Sequence, residues 1–167
     1  KINRFDVRLE KNTLENIALQ QPVSADLRRV ITVRKATSDL ERMGDHAVSI
    51  AKAAIRMKGE VRIPIVEEEI KNMGKEARRL VESSLDLYLN SGDIETAYEI
   101  AASDEIINEY YSKIQELTTE EIKKNPDSLI AGRDYFQVIT YLERIGDYAK
   151  NICEWVVYLH TGDITEL

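Results

Sequence analysis

Apolar residues recur at intervals of three and four along most of the chain, and no sustained two-residue alternation interrupts them. The one strand-like stretch, from Val61 to Val66, is short and carries Pro64 inside it. The pattern predicts five helices. The first covers roughly Ile2 to Gln20. The second runs from about Ala25 to Lys58, with Ser24 as N-cap and Gly59 as the stop. The third spans about Ile65 to Leu89 and ends at Asn90-Ser91-Gly92. The fourth covers Ile94 to Lys124. The fifth opens on Asn125-Pro126-Asp127, a cap followed by a first-turn proline, and closes near His160. Long helices joined by short loops pack as antiparallel bundles, so the expected fold is all-α.

Two of these helices share a motif. Leu40-Glu41-Arg42-Met43-Gly44-Asp45-His46-Ala47 returns as Leu142-Glu143-Arg144-Ile145-Gly146-Asp147-Tyr148-Ala149, offset by 102 residues. Farther upstream Ile2-Asn3 aligns with Ile107-Asn108 at an offset of 105, which places a three-residue insertion or deletion in a loop between. The chain therefore reads as a duplicated helical unit, its copies related by a pseudo-twofold or a translation. Leu40, Met43, Gly44, Ala47, Ile50, Ala51 and Ala54 form one helical stripe. Leu142, Ile145, Gly146, Ala149, Ile152, Cys153 and Val156 form its counterpart.

On one flank of each stripe stand two carboxylates four residues apart, Glu41 with Asp45 and Glu143 with Asp147. Like charges at this spacing cost roughly 0.2–0.5 kcal/mol, and a glycine inside a helix about 1 kcal/mol relative to alanine. Both copies carry both penalties, so local helix stability is not their purpose. A bound cation reverses the first, and close approach of a neighbouring backbone explains the second. Asp104 and Asn108 show the same spacing on the fourth helix, beside Ile100, Ile107, Tyr110, Tyr111, Ile114 and Leu117. If the fourth and fifth helices are antiparallel, Asp104, Asn108, Glu143 and Asp147 meet across one groove. Such oxygen donors suit a hard or borderline metal ion, or a small metal cluster. In the first copy Asn3 takes the place of Asn108.

Other residues have plainer readings. His46 follows Asp45 but corresponds to Tyr148, which makes it a weak ligand candidate. His160 belongs to a helix end, where the dipole favours a cation. Cys153 lies on the apolar stripe as a core residue. Trp155 falls off that stripe, as partial cover or as a contact for another chain. Arg42 and Arg144 point outward, either solvated or paired with neighbouring acids. A ferritin-type di-iron site needs Glu three residues before His, and Met43 and Val157 occupy those positions. No phosphate-cradling glycine loop and no nucleophile with a base is present in the sequence, so an enzyme is not expected.

Ala18-Leu19-Gln20-Gln21-Pro22-Val23-Ser24-Ala25-Asp26-Leu27-Arg28, followed by Asp39-Leu40-Glu41-Arg42-Met43-Gly44-Asp45-His46-Ala47, resembles the PhoU family of bacterial phosphate-uptake regulators. The second Leu142-Glu143-Arg144-Ile145-Gly146-Asp147 is similar to the family's second copy. The resemblance covers nearly the whole chain. It implies six helices in two three-helix bundles, of which the first helix has no counterpart here. It also implies iron or zinc on the bundle surface, held at Glu41 and Asp45, at Glu143 and Asp147, and at Asp104 and Asn108, the last an asparagine where the family has aspartate. The implied partners are the ATPase subunit of a phosphate ABC transporter and a phosphate-sensing histidine kinase. The implied action is repression of uptake and starvation genes when phosphate is plentiful. A metal-free helical adaptor and a metal-dependent hydrolase remain the alternatives.

Composition narrows the classes further. The net charge is −7, against the basic surface of a nucleic-acid binder. Hydrophobic residues at 43% and charged ones at 32% suit a folded domain rather than a disordered chain. A single cysteine allows no intrachain disulfide, in keeping with a reducing, cytoplasmic setting. No apolar run reaches the length of a membrane span. The opening Lys1-Ile2-Asn3 has neither Met nor an apolar leader and reads as part of a longer chain. The expected organisation is an incomplete N-terminal bundle over residues 1–60 and a self-sufficient C-terminal bundle over residues 61–167. The wide stripe of the second helix is then covered by a third helix shared between halves, or by a second copy in a homodimer.

Overall fold

The computed structural model describes residues 2–167, with side chains from residue 4 onward. Every regular element among them is helical: α1 (Ile2–Gln20), α2 (Ser24–Arg56), α3 (Pro64–Leu89), α4 (Ile94–Ala102), α5 (Asp104–Lys124), a 3-10 turn at Pro126–Ser128, and α6 (Leu129–Thr161). The all-α expectation holds. None of the described helices is long and apolar enough to cross a membrane.

α6 is the axis of the molecule. It buries residues on two sides, among them Tyr135, Val138, Ile139, Leu142, Ala149 and Ile152. One side receives α3, α4 and α5, and the other receives α2. α3 contributes Val66, Met73, Ala77, Leu80, Ser84 and Leu87 from a single face. α5 contributes Ile107 and Ile114. Among the described residues α1 packs on α2 alone. There Asp6 accepts a hydrogen bond from Arg34 at 2.8 Å.

The pairs across the α2–α6 seam fix its direction. Trp155 Nε1 donates to Asp39 Oδ2 at 3.1 Å. His46 stacks on Tyr148, with ring centroids 5.7 Å apart. Arg56 Nε donates to Asp134 Oδ1 at 2.9 Å. As numbers rise on α2 they fall on α6, so the helices are antiparallel. His46 and Tyr148 occupy the same place in the two motif copies. The pseudo-twofold of the duplication therefore passes between their rings, and a simple translation is ruled out for this pair.

Three local expectations change. The fourth helix is broken at Ser103, whose hydroxyl turns back to the Glu99 carbonyl and whose φ and ψ still lie near helical values. Ser103-Asp104-Glu105 is itself a helix-start sequence, and acidic residues in a first turn are favoured by the dipole. Ser24 opens α2 from inside with φ 48°, and no side chain caps it. Asn125 caps the 3-10 turn rather than α6, accepting from the Asp127 N–H.

Candidate metal centre

The break at Ser103 makes Asp104 the first residue of α5 and turns its side chain toward α6. Asp104 is only 6% exposed. A Cβ added at Gly146 would stand 2.5 Å from Asp104 Oδ1 and 2.9 Å from Ile107 Cδ1. The glycine in the second motif copy thus makes room for a carboxylate, where a neighbouring backbone was the expectation. Asp104 Oδ1 has no hydrogen-bond donor, although the Asn108 side chain does hydrogen-bond this carboxylate.

Glu143 and Asp147 stand one turn apart beside Gly146, and both lie near enough to Asp104 on α5 for the three carboxylates to feel one another. Their charges act on one another. Burial first, then Asp147, pushes the Asp104 carboxyl above its ordinary value. Burial, then Asp147, raises Glu143 as well, and burial raises Asp147. Lys150 and Arg144 pull in the other direction on Asp147. A buried carboxylate oxygen without a donor thus stands beside two like charges, and Lys150 and Arg144 offset part of the repulsion. Among the described residues no group of three His, Cys, Asp or Glu side chains is placed to hold a metal ion.

The first copy is less defined. Glu41 is half-buried and Asp45 exposed on α2. The facing position, Asn3, lies outside the described side chains. His46 lies between Tyr141 and Tyr148, with centroids 5.3 and 5.7 Å away. Burial and Arg144 lower its pKa. Its ring is engaged in stacking. Arg42 leans over the Tyr148 ring at 5.7 Å and toward Asp39 at 3.9 Å. Trp155 is a seam residue through its bond to Asp39. His160 Nε2 meets the Gly92 carbonyl at 2.9 Å. Cys153 is buried, and its thiol is pushed up to about 12, too high for a thiolate ligand at neutral pH. Lys150 was not singled out by sequence reasoning. The signal was available, because the residue 102 positions earlier is Val48 and the copies differ there in charge.

Fold and site define a duplicated helical scaffold that carries paired carboxylates on its helix flanks. The PhoU domain family matches residues 1–54 and 70–156, and the chain belongs to that family. The phosphate-specific transport system accessory protein PhoU homolog of Clostridium acetobutylicum is 37% identical over 167 residues, covering 99% of this chain and 75% of that protein. The crystal structure of the phosphate transport system regulatory protein PhoU from Streptococcus pneumoniae superposes with TM-score 0.89 at 35% identity, covering 99% of this chain and 77% of that one. PhoU from Pseudomonas aeruginosa gives TM-score 0.89 at 29% identity, covering 97% and 77%.

Proposed function

We propose that this protein is a non-enzymatic, cytoplasmic accessory of a phosphate-specific transport system, which restrains phosphate uptake and starvation signalling when phosphate is plentiful. The observation that carries the reading is the match to named PhoU accessory proteins across 99% of the chain. Its partners on this reading are the transporter's ATPase subunit and a phosphate-sensing histidine kinase. Asp104, Asn108, Glu143 and Asp147 hold iron or zinc in one copy, and Glu41 and Asp45 contribute to a second centre. Bound metal supplies the positive charge that the buried Asp104 oxygen lacks. The units are residues 1–60 and 61–167. Phe5, Val7, Leu14, Leu19 and Val48 are exposed apolar side chains, which favours a homodimer.

Deleting the gene tests the regulatory role, since starvation genes should then be expressed in high phosphate, and unchanged expression rejects it. Elemental analysis of protein purified without chelator tests the metal. Substituting both Glu143 and Asp147 by alanine should lower the bound metal, and an unchanged content means the site lies elsewhere. Sedimentation at micromolar concentration tests the dimer, which a monomer overturns.

A further inference from the structure

The duplication extends to α1 and α5. At the offset of 105, Leu9, Thr13 and Ile17 match Ile114, Thr118 and Ile122, and both sets turn inward, so α1 lies on α2 as α5 lies on α6. The outward lines of the two helices differ. On α5 the exposed line runs Glu109, Ser112, Glu116 and Thr119. The same positions on α1 hold Arg4, Val7, Lys11 and Leu14, all exposed, with Val7 at 66% and Leu14 at 63%. On matching backbone, two carboxylates become two cations and two hydroxyls become apolar side chains.

Neither line is used up inside the chain. Among the described residues Arg4, Glu109 and Glu116 form no ion pair. Lys11 has only Glu15, at 3.7 Å and in solvent, a pairing of small worth. The other flank of α1 has a different part. There Leu9, Asn12 and Asn16 border a groove with Val30 and Val33. Val33 corresponds to Tyr135, which bonds to Ile63 and Glu67 at the start of α3. A helix seated in that groove as α3 is seated on α6 would leave the line from Arg4 to Leu14 exposed. The charges of each line stand seven residues apart, about 10 Å along the helix. Both cations of one copy can therefore meet both glutamates of another at once. Beside the α5 line, Thr119 and Phe136 border an open groove that offers Val7 and Leu14 an apolar wall.

We propose that two copies of this chain join through these lines, with Arg4 and Lys11 on α1 against Glu109 and Glu116 of the partner subunit. This rests on the reading of the protein as a homodimer and names its interface. A twofold axis makes the contact twice, and like lines repel, so the same charges exclude α1 on α1 and α5 on α5.

Sedimentation equilibrium of the full chain at low salt tests this. Arg4→Glu with Lys11→Glu makes both lines acidic and should weaken the dimer at least about tenfold. Glu109→Lys with Glu116→Lys makes both lines basic and should weaken it equally. Mixed together, these two double variants should associate with each other. A chain carrying all four changes should dimerise as the parent does, which also shows that the substitutions leave the fold intact. Parent-like self-association of either double variant places the interface elsewhere and leaves the homodimer reading standing. Weakened double variants that neither pair with each other nor recover in the quadruple variant overturn the pairing as well. A parent that stays monomeric at micromolar concentration removes the homodimer reading and this interface with it.

Discussion

At the scale of single residues, Gly146 and Asp104 set opposing demands. Helix propensity alone predicts that Gly146→Ala stabilises by about 1 kcal/mol. Here the new methyl meets Asp104 Oδ1 at 2.5 Å, and overpacking of this kind costs about 1–3 kcal/mol. Gly146→Ala should therefore lower the denaturation midpoint, and a raised midpoint would remove the steric account of the glycine. Asp104 carries a charge that burial disfavours. Its folded carboxyl titrates above the ordinary 3.8. In the window above 3.8 the folded protein then holds more protons at this group than the unfolded chain does. Its contribution to stability accordingly falls as pH rises through the window and stays lost at neutrality. Asp104→Asn should melt higher than the parent at neutral pH in chelator, with the difference shrinking on acidification toward 3.8. A constant difference across that range would assign the gain to something other than charge.

At the scale of elements, the α2–α6 seam depends on polar groups that a hydrophobic pattern does not reveal. Asp39 is buried at 5% exposure and accepts from Trp155. Trp155→Phe keeps an aromatic ring and leaves that carboxylate a donor short, at a cost of about 1–3 kcal/mol in chemical denaturation. A loss below a few tenths would mean that Asn151, which also hydrogen-bonds Asp39, and Arg42 already satisfy that carboxylate. The same seam shows what the sequence could and could not reveal. The α6 stripe is legible because it is buried as its period requires, with Leu142, Gly146, Ala149, Ile152, Cys153 and Val156 all inside. Its equivalent on α2 is not buried in the same way. Ala47, Ala51 and Ala54 are exposed, and α2 turns Thr32, Ala36, Asp39, Met43 and Ala53 inward. Periodicity identifies a face but not the neighbour that covers it, and a buried Asp39 reads as solvent-facing until Trp155 is placed against it. The grouping of Asp104, Asn108, Glu143 and Asp147 was legible from equal spacing on two helices. The break at Ser103, which aims Asp104, was hidden inside an unbroken apolar period.

At the scale of the molecule, support is uneven. Among the described residues α6 touches α2, α3, α4 and α5, whereas α1 touches α2 only. Local opening follows contact and burial. Amide hydrogen exchange should be slowest through the middle of α6 and fastest along α1, with α2 graded between them. Protection of α1 equal to that of α6 would show that α1 is held by more than α2. At one end the α2–α3 connection is pinned by Arg56 to Asp134 and by the Tyr135 hydroxyl, which donates to Glu67 and accepts from the Ile63 N–H. That corner should therefore exchange slowly for a loop.

The pseudo-twofold between His46 and Tyr148 has a kinetic consequence. Duplicated stripes give a collapsing chain two seats of similar shape for α5, the native one on α6 and a counterfeit on α2. Both offer a glycine at the matching position, Gly146 or Gly44. Only the native seat is reached through the short turn at Asn125-Pro126, so closing the right loop is entropically cheaper than closing the wrong one. Chain connectivity, rather than surface complementarity alone, decides between them. Lengthening that turn with a flexible glycine-serine insert should add a slow refolding phase while leaving the final structure the same.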